Sequence, residues 1–214
     1  MIISDHQIIH QLEKRLADPL PGSHHQLKMA PINGRAYLQP NENHRKACVM
    51  ILLHPQVGEW HMTYIKRTSH NPDDRHAGQI SFPGGKVDRE DNSMEACALR
   101  ETEEEIGIYR EKIEVIGELT SLYVHVSNFL VYPFVGFINE KPSFVRQESE
   151  VADILTPQLS YMVDHNIVRK GDVSVRNTTI RDMPFYNLHG KILWGATAMI
   201  TSEFLTVLRE AEKY

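Results

Sequence analysis

The run Arg100-Glu101-Thr102-Glu103-Glu104-Glu105-Ile106-Gly107-Ile108, with Gly84-Gly85 upstream of it, is the stretch on which the reading of this chain turns. Glu101, Glu104 and Glu105 lie three and four residues apart, so on a helix they share one face, with Cβ atoms about 5–6 Å from one another. Three like charges at that spacing repel, and a fold tolerates them most readily around a cation. A donor set made only of oxygen favours a hard ion such as Mg2+ or Mn2+ over zinc. A carboxylate-held divalent ion is in turn a usual device for chemistry on phosphates. Gly84-Gly85 allows a tight turn whose carbonyl can approach a metal, because no Cβ obstructs it. Arg100, beside the first glutamate, can pair with a carboxylate and fix its rotamer.

Working outward, the helix is expected from about Ser93 to Ile106, capped by Asn92 with Glu95 three residues on, and stopped by Gly107. Steps of about 100° per residue put Ala98, Leu99, Thr102 and Ile106 on its core face. Glu101, Glu104 and Glu105 fall on the adjoining sector with Arg100 at its edge, and Glu103 projects into solvent. Upstream, Ala47 to Leu53 is a short run apolar on both faces, the mark of a buried central strand. Gly58 turns it into a hairpin partner, Trp60 to Arg67. Residues 68–83 form a polar loop long enough to be functional, and Ile80-Ser81-Phe82 reads as a brief strand closed by Pro83-Gly84-Gly85. An N-terminal helix is expected over 5–17, capped by Asp5, with Ile8, Ile9, Leu12 and Leu16 as its apolar stripe. Residues 22–46 read as loop. Strands follow at 113–120, 130–139 and 173–180, then a last helix over 196–212 with Met199, Phe204, Leu205 and Leu208 facing the core.

The 214 residues, 41% hydrophobic, suffice for one full core. A net charge of −5 and a pI near 6.2 leave no footprint for bulk nucleic-acid binding. No segment reaches the roughly 18 apolar residues that span a bilayer, and Met1 to Asp5 lacks a secretory layout. The expectation is a soluble cytoplasmic protein. Cys48 and Cys97 form no metal-type pair and leave a single disulfide open. Twelve histidines invite zinc, but neither His6/His10 nor His24-His25 has a third ligand at a recognisable spacing. Solvated histidines are the better reading.

The array Gly85…Arg100-Glu101-x-x-Glu104-Glu105-x-Gly107-Ile108 resembles the Nudix box, the signature of hydrolases acting on nucleoside diphosphates linked to another moiety. The generic box runs Gly, five residues, Glu, seven residues, Arg-Glu, an apolar residue, any residue, Glu-Glu, any residue, Gly and an apolar residue. Here the span from Gly85 to Arg100 is one residue longer. The early acid falls on Asp91 counted forwards or on Asn92 counted back, and Thr102 replaces the apolar residue. The segment Lys66-Arg67-Thr68-Ser69…Arg75-His76-Ala77-Gly78-Gln79-Ile80-Ser81-Phe82-Pro83-Gly84-Gly85 looks like the extra upstream motif of the coenzyme A pyrophosphatase subgroup. Asp91-Asn92-Ser93 and Trp194-Gly195-Ala196-Thr197-Ala198 are similar to stretches of that subgroup.

The resemblance implies an α/β/α sandwich around a mixed sheet, as a hydrolase domain over 46–214 with a helical extension over 1–45. It implies metal-dependent cleavage of coenzyme A or its acyl derivatives to adenosine 3′,5′-bisphosphate and 4′-phosphopantetheine or its acyl form. Glu101, Glu105 and Glu104 would hold Mg2+ or Mn2+, with the Gly84 carbonyl as a further donor and Arg100 beside them. Arg67, Arg75, His76 and Gln79, with Gly85, are the candidates for holding substrate. Glu148 and Glu150 are candidates for the general base, as is a glutamate of the cluster itself. Two alternatives stand beside this: hydrolysis of ADP-ribose or another nucleoside diphosphate derivative, and a nucleotide-sensing module without turnover. The partner expected is a small nucleotide, with neither nucleic acid nor membrane, and a homodimer is left open.

Overall fold

The computed structural model describes residues 7–31, 39–68, 76–175 and 178–212. Its centre is the strand expected from the apolar run, lengthened to β1 (Arg45–Gln56). Alternation sends Cys48, Met50 and Leu52 to one face and Ile51 and Leu53 to the other, and all five are fully buried. A strand buried on both sides needs a layer on each, and that requirement produces the sandwich.

β1 pairs in parallel with β8 (Phe129–Phe137) along one edge. Along its other edge run β2 (Glu59–Met62) and, further back, β5 (Gly84–Lys86), both antiparallel. β6 (Glu114–Glu118) and β7 (Leu122–Val124) continue beyond β8, completing a mixed sheet of six strands. The expected hairpin partner is in fact two strands. At Thr63 the chain leaves β1, and β3 (Tyr64–Arg67) joins a second sheet between β4 (Ile80–Ser81) and β9 (Val151–Leu155). That switch carries Arg67 and the 147–150 turn towards β5.

One face of the main sheet is covered by α3 (Met94–Ile106). The other is covered by α1 (Gln7–Leu16) and α5 (Gly195–Ala211), which share one core with Ile51 and Leu53. Ile8, Ile9, Leu12 and Leu16 are buried as the apolar stripe requires, and Arg15 reaches Glu210 on α5 through bonds of 2.9 and 2.7 Å. The expected Asp5 cap lies outside the described residues. Met199, Phe204, Leu205 and Leu208 are buried on α5.

Two stretches depart from expectation. Residues 22–46 include α2 (Ser23–Gln26) and a 3-10 turn at Leu27–Met29. α2 is held at both ends by Glu203 of α5, which is fully buried yet satisfied. It accepts bonds from the Gly22 amide (3.1 Å), the Gln26 side chain (2.8 Å) and the Thr120 hydroxyl (2.6 Å). A polar sequence thus becomes ordered through one buried carboxylate, which hydropathy alone does not announce. Residues 173–180 straddle a hairpin instead of forming one strand: β10 (Val168–Val175) returns as β11 (Thr178–Leu188), which pairs with β12 (Lys191–Leu193). The short helix α4 (Leu159–Met162) packs near β2. Among the described residues no helix is long and apolar enough to cross a membrane.

At the far end of β1, His54 is fully buried, stacked on His61 at 5.7 Å and met edge-on by Phe144 at 5.6 Å. Burial, then the neighbouring His61, hold its pKa down to about 4. The unfolded chain therefore takes up this proton first, and stability falls as pH drops from about 6.5 towards 4. The contribution is at most about 1.4 kcal/mol per pH unit. Urea midpoints of wild type and His54→Leu between pH 7 and 4.5 are expected to diverge in slope, the variant being the flatter.

Candidate active site

The site begins with how α3 starts and stops. Ser93, not Asn92, is the N-cap: its backbone is extended and its hydroxyl accepts the Ala96 amide at 3.0 Å. Gly107 ends the helix in the left-handed region at φ 70°, its amide donating to the Glu103 carbonyl at 2.9 Å. Between these ends the core face carries Cys97, Ala98, Thr102, Glu105 and Ile106, whereas Leu99 is only half-buried. Thr102 tolerates burial because its hydroxyl donates to the Ala98 carbonyl at 2.7 Å. Glu103 is not merely solvated; it pairs with Arg110 at 2.6 Å.

A cavity of about 400 Å3 opens between α3, β5, β3 and the turn before β9. Its wall carries five carboxylates: Asp88, Glu101, Glu104, Glu105 and Glu150. Gly84, Gly85, Arg67, Lys86, Arg100 and Gln147 complete it. Glu101, Glu104 and Glu105 are therefore on one surface, as the helical spacing requires. Gly85 has no side chain for a steric reason: a Cβ there would meet the Glu101 carboxylate.

Arg100 organises the acids. Its Nε and Nη2 bond the two oxygens of Asp91 at 2.9 and 3.0 Å, a bidentate fork. Its Nη1 is shared by Glu101 Oε1 and Glu104 Oε2, each at 3.0 Å. The acid counted forwards from Gly85 is thus the one that clamps the arginine. The extra residue of spacing is absorbed by the turn in which the Asp88 amide donates to Asp91 at 2.8 Å. The clamp holds the Asp91 pKa down to about 2, Arg100 being the largest cause. Removing it as Asp91→Asn is expected to lower turnover about 10- to 100-fold, the usual cost of an orienting partner around a metal site. Initial rates and their rescue by Asp91→Glu provide the check.

Glu105 differs from its neighbours. It is 1% exposed, accepts the Gly84 amide at 2.8 Å and faces Arg67 Nη1 at 3.4 Å. Burial nevertheless dominates and pushes its pKa up to about 8. Burial likewise raises Glu101, against the pull of Arg100. Carboxylates this desolvated are poorly supplied with positive charge by the protein alone. The donors present fit a hard divalent cation: all are oxygen, and Glu101 and Glu104 already converge on one positive group. Among the described residues, no three histidine, cysteine, aspartate or glutamate side chains are gathered so as to hold a metal ion as they stand. Arg100 and Arg67 occupy the carboxylates instead.

The other sequence candidates divide. Arg67 and Gly85 line the cavity, whereas His76 and Gln79 bond each other at 3.2 Å in the turn before β4 and are absent from its wall. Arg75 lies outside the described residues. Glu150 lines the cavity, its carbonyl accepting the Thr68 amide at 2.8 Å. Glu148 is exposed and faces Arg146 at 3.5 Å. Gln147 was missed. Its amide donates to the Glu105 carbonyl at 3.0 Å, a long-range tie without a local sequence signal. Lys86 and Asp88 were also missed, though their closeness to Gly85 is a usable hint.

Residues 43–162 match the model of the NUDIX domain. The chain belongs to the Nudix family. It is 35% identical over 163 residues to the protein described as "uncharacterized Nudix hydrolase NudL" of Escherichia fergusonii, covering 75% of this chain and 81% of that one. It is 39% identical over 125 residues to the protein of the same description in Photorhabdus laumondii, covering 58% of this chain and 66% of that one. Among solved structures, the Nudix hydrolase RenU of M. smegmatis superposes with a TM-score of 0.51 at 15% identity, over 79% of this chain and 86% of that one. That superposition speaks for the fold, the Nudix sandwich with its curled mixed sheet. The Gly85-to-Ile108 segment that resembles the Nudix box lies inside the matched residues.

Proposed function

We propose that this Nudix hydrolase cleaves the pyrophosphate of coenzyme A or an acyl derivative, with Mg2+ or Mn2+ held by Glu101, Glu104 and Glu105 and the Gly84 carbonyl. The observation that carries the hydrolytic part is the cavity in which five carboxylates face two arginines and a lysine. Bound there, a divalent ion would neutralise the diphosphate and lower the pKa of a water molecule. Arg67, at the rim of Glu105, is placed to pair with a phosphate oxygen once the carboxylate is neutralised by the ion. Arg100 keeps Glu101 and Glu104 in their rotamers through Asp91. Glu150 is the better placed of the two loop candidates for the base, because Glu148 pairs with Arg146 outside the cavity. Water adds to one phosphorus and the bridging oxygen leaves with the other, giving adenosine 3′,5′-bisphosphate and 4′-phosphopantetheine.

The substrate rests on the upstream resemblance across Lys66 to Gly85. Coenzyme A, its 3′-dephosphorylated form and ADP-ribose should be compared under Mg2+ and under Mn2+, with products identified by mass spectrometry. Release of adenosine 3′,5′-bisphosphate from coenzyme A at the highest kcat/KM is expected. Brisk ADP-ribose cleavage with intact coenzyme A would reject the substrate, and no turnover on the whole panel would reject the hydrolase.

A further inference from the structure

The turn that brings Glu150 to the cavity is strung between two elements that already line it. On one side it closes the end of α3: the Val145 amide donates to the Ile106 carbonyl at 2.9 Å, and the Gln147 amide to the Glu105 carbonyl at 3.0 Å. These are two of the last carbonyls, which a helix leaves without a donor of its own. Within the turn, the Gln147 carbonyl accepts the amides of Glu150 (3.0 Å) and Val151 (2.8 Å). On the other side stands Thr68, the residue after Arg67 at the end of β3. Its amide donates to the Glu150 carbonyl at 2.8 Å and its hydroxyl to the Ser149 carbonyl at 3.0 Å. Those two carbonyls belong to the peptide planes on either side of the Glu150 Cα. Because each peptide is planar, fixing both planes fixes φ and ψ of Glu150, and with them the direction of its Cα–Cβ bond.

We infer that Thr68 is a positioning residue that aims the Glu150 carboxylate into the cavity, an inference that rests on the reading of Glu150 as the general base. The Glu150 side chain is exposed, so packing does little to hold it and the backbone must. The base takes one proton from the water whose oxygen bonds to phosphorus, and such a transfer needs a heavy-atom separation of about 2.6–3.2 Å. A displacement of about 1 Å is enough to cost about 100-fold in rate. Threonine suits the position, because its branched Cβ restricts χ1 and keeps the hydroxyl on the Ser149 carbonyl. Thr68→Val keeps that shape and the amide bond to Glu150 but frees the peptide before Glu150, so its φ is no longer held. Arg67 is anchored separately, its amide donating to the Gln79 carbonyl at 2.9 Å, and substrate binding should therefore change little.

The test measures initial rates of the full chain with Mg2+ on coenzyme A and on ADP-ribose in parallel, so that it does not depend on the choice of substrate. Thr68→Val is expected to lose about 10-fold or more in kcat, with KM and melting midpoint near those of wild type. Thr68→Ser, which restores the hydroxyl, is expected to recover most of the loss. Glu150→Gln should lose about 100-fold or more. The double variant Thr68→Val/Glu150→Gln should be no slower than Glu150→Gln alone, since a latch that acts through Glu150 then has nothing left to aim. A double variant slowed by the product of the single losses, or Thr68→Val at wild-type kcat, overturns the inference and leaves the base reading in place. Wild-type turnover in Glu150→Gln rejects Glu150 as the base and the inference with it, and no turnover of wild type on either nucleotide rejects both together with the hydrolase. Should Thr68→Val not fold, Thr68→Ala takes its place in the comparison.

Discussion

Glu105→Gln is expected to lower Mg2+-dependent turnover by at least about 100-fold while making the metal-free protein more stable at alkaline pH. Outer partners of metal ligands are worth about 10- to 100-fold, so a ligand itself should cost no less than the upper end. The stability effect has the opposite sign because the buried carboxyl has its pKa at about 8 in the fold, well above that of an unfolded glutamate. A group raised in this way contributes stability that is fully present below the unfolded value and is lost as pH rises through 8. Glutamine keeps an oxygen for the Gly84 amide, which now bonds Glu105 at 2.8 Å, and never has to ionise. Denaturation midpoints at pH 5 and pH 8.5 are therefore expected to converge in the variant and separate in wild type. Adding Mg2+ should stabilise wild type at pH 8.5 more than the variant, which lacks one of the three proposed carboxylate ligands. Unchanged turnover in Glu105→Gln would remove the metal role proposed here. Divergent midpoints in the variant would mean that some other group carries the pH dependence.

The parts of this architecture that were legible in sequence share a physical property: each is written within one element. The apolar run of β1 specifies burial on both faces, and the three-and-four spacing on α3 specifies a carboxylate surface. Gly107 specifies the helix stop. What escaped reading depends on partners distant in sequence. Glu103 becomes a salt-bridge partner because the turn after Gly107 brings Arg110 back to it. Asn92 and Ser93 are both good caps, and only the helix start selects the serine. Counting leaves the early acid of the box between Asp91 and Asn92, and spacing alone does not announce that it is Asp91 that Arg100 grips in a fork. Residues 22–26 read as loop because the bonds that hold them come from Glu203, far along the chain on α5. Gln147 enters the cavity wall through a tie to the Glu105 carbonyl that no periodicity encodes. His76 and Gln79 stand with Arg67 in the segment that resembles the upstream motif, yet of these three only Arg67 lines the cavity of the carboxylates.

Gly84→Ala and Gly85→Ala are expected to fail in two different ways, although they are neighbours and carry the same substitution. At Gly84 the backbone has φ 150°, and an added Cβ would strike the Cys48 carbonyl and come within 2.6 Å of Val49 Cα. Both obstacles are backbone of the central strand, which cannot move without losing the β1–β5 pairing at Val49–Gly84. Gly84→Ala should therefore lower the thermal midpoint strongly or leave no folded protein. At Gly85 the conflict is with the far end of the Glu101 side chain, which can swing aside. Gly85→Ala should fold with a nearly unchanged midpoint and lose turnover about as severely as Glu101→Gln, again about 100-fold or more. Since the alanine acts by displacing Glu101, the double variant Gly85→Ala/Glu101→Gln should be no slower than Glu101→Gln alone, the non-additivity expected of residues that act as one unit. Steady-state rates for the two single variants and the double, with melting curves for each, complete the comparison. A double variant slowed by the product of the two single losses would mean that Gly85 serves the reaction independently, by letting substrate approach its backbone, and that its lack of a side chain is not there for the sake of Glu101.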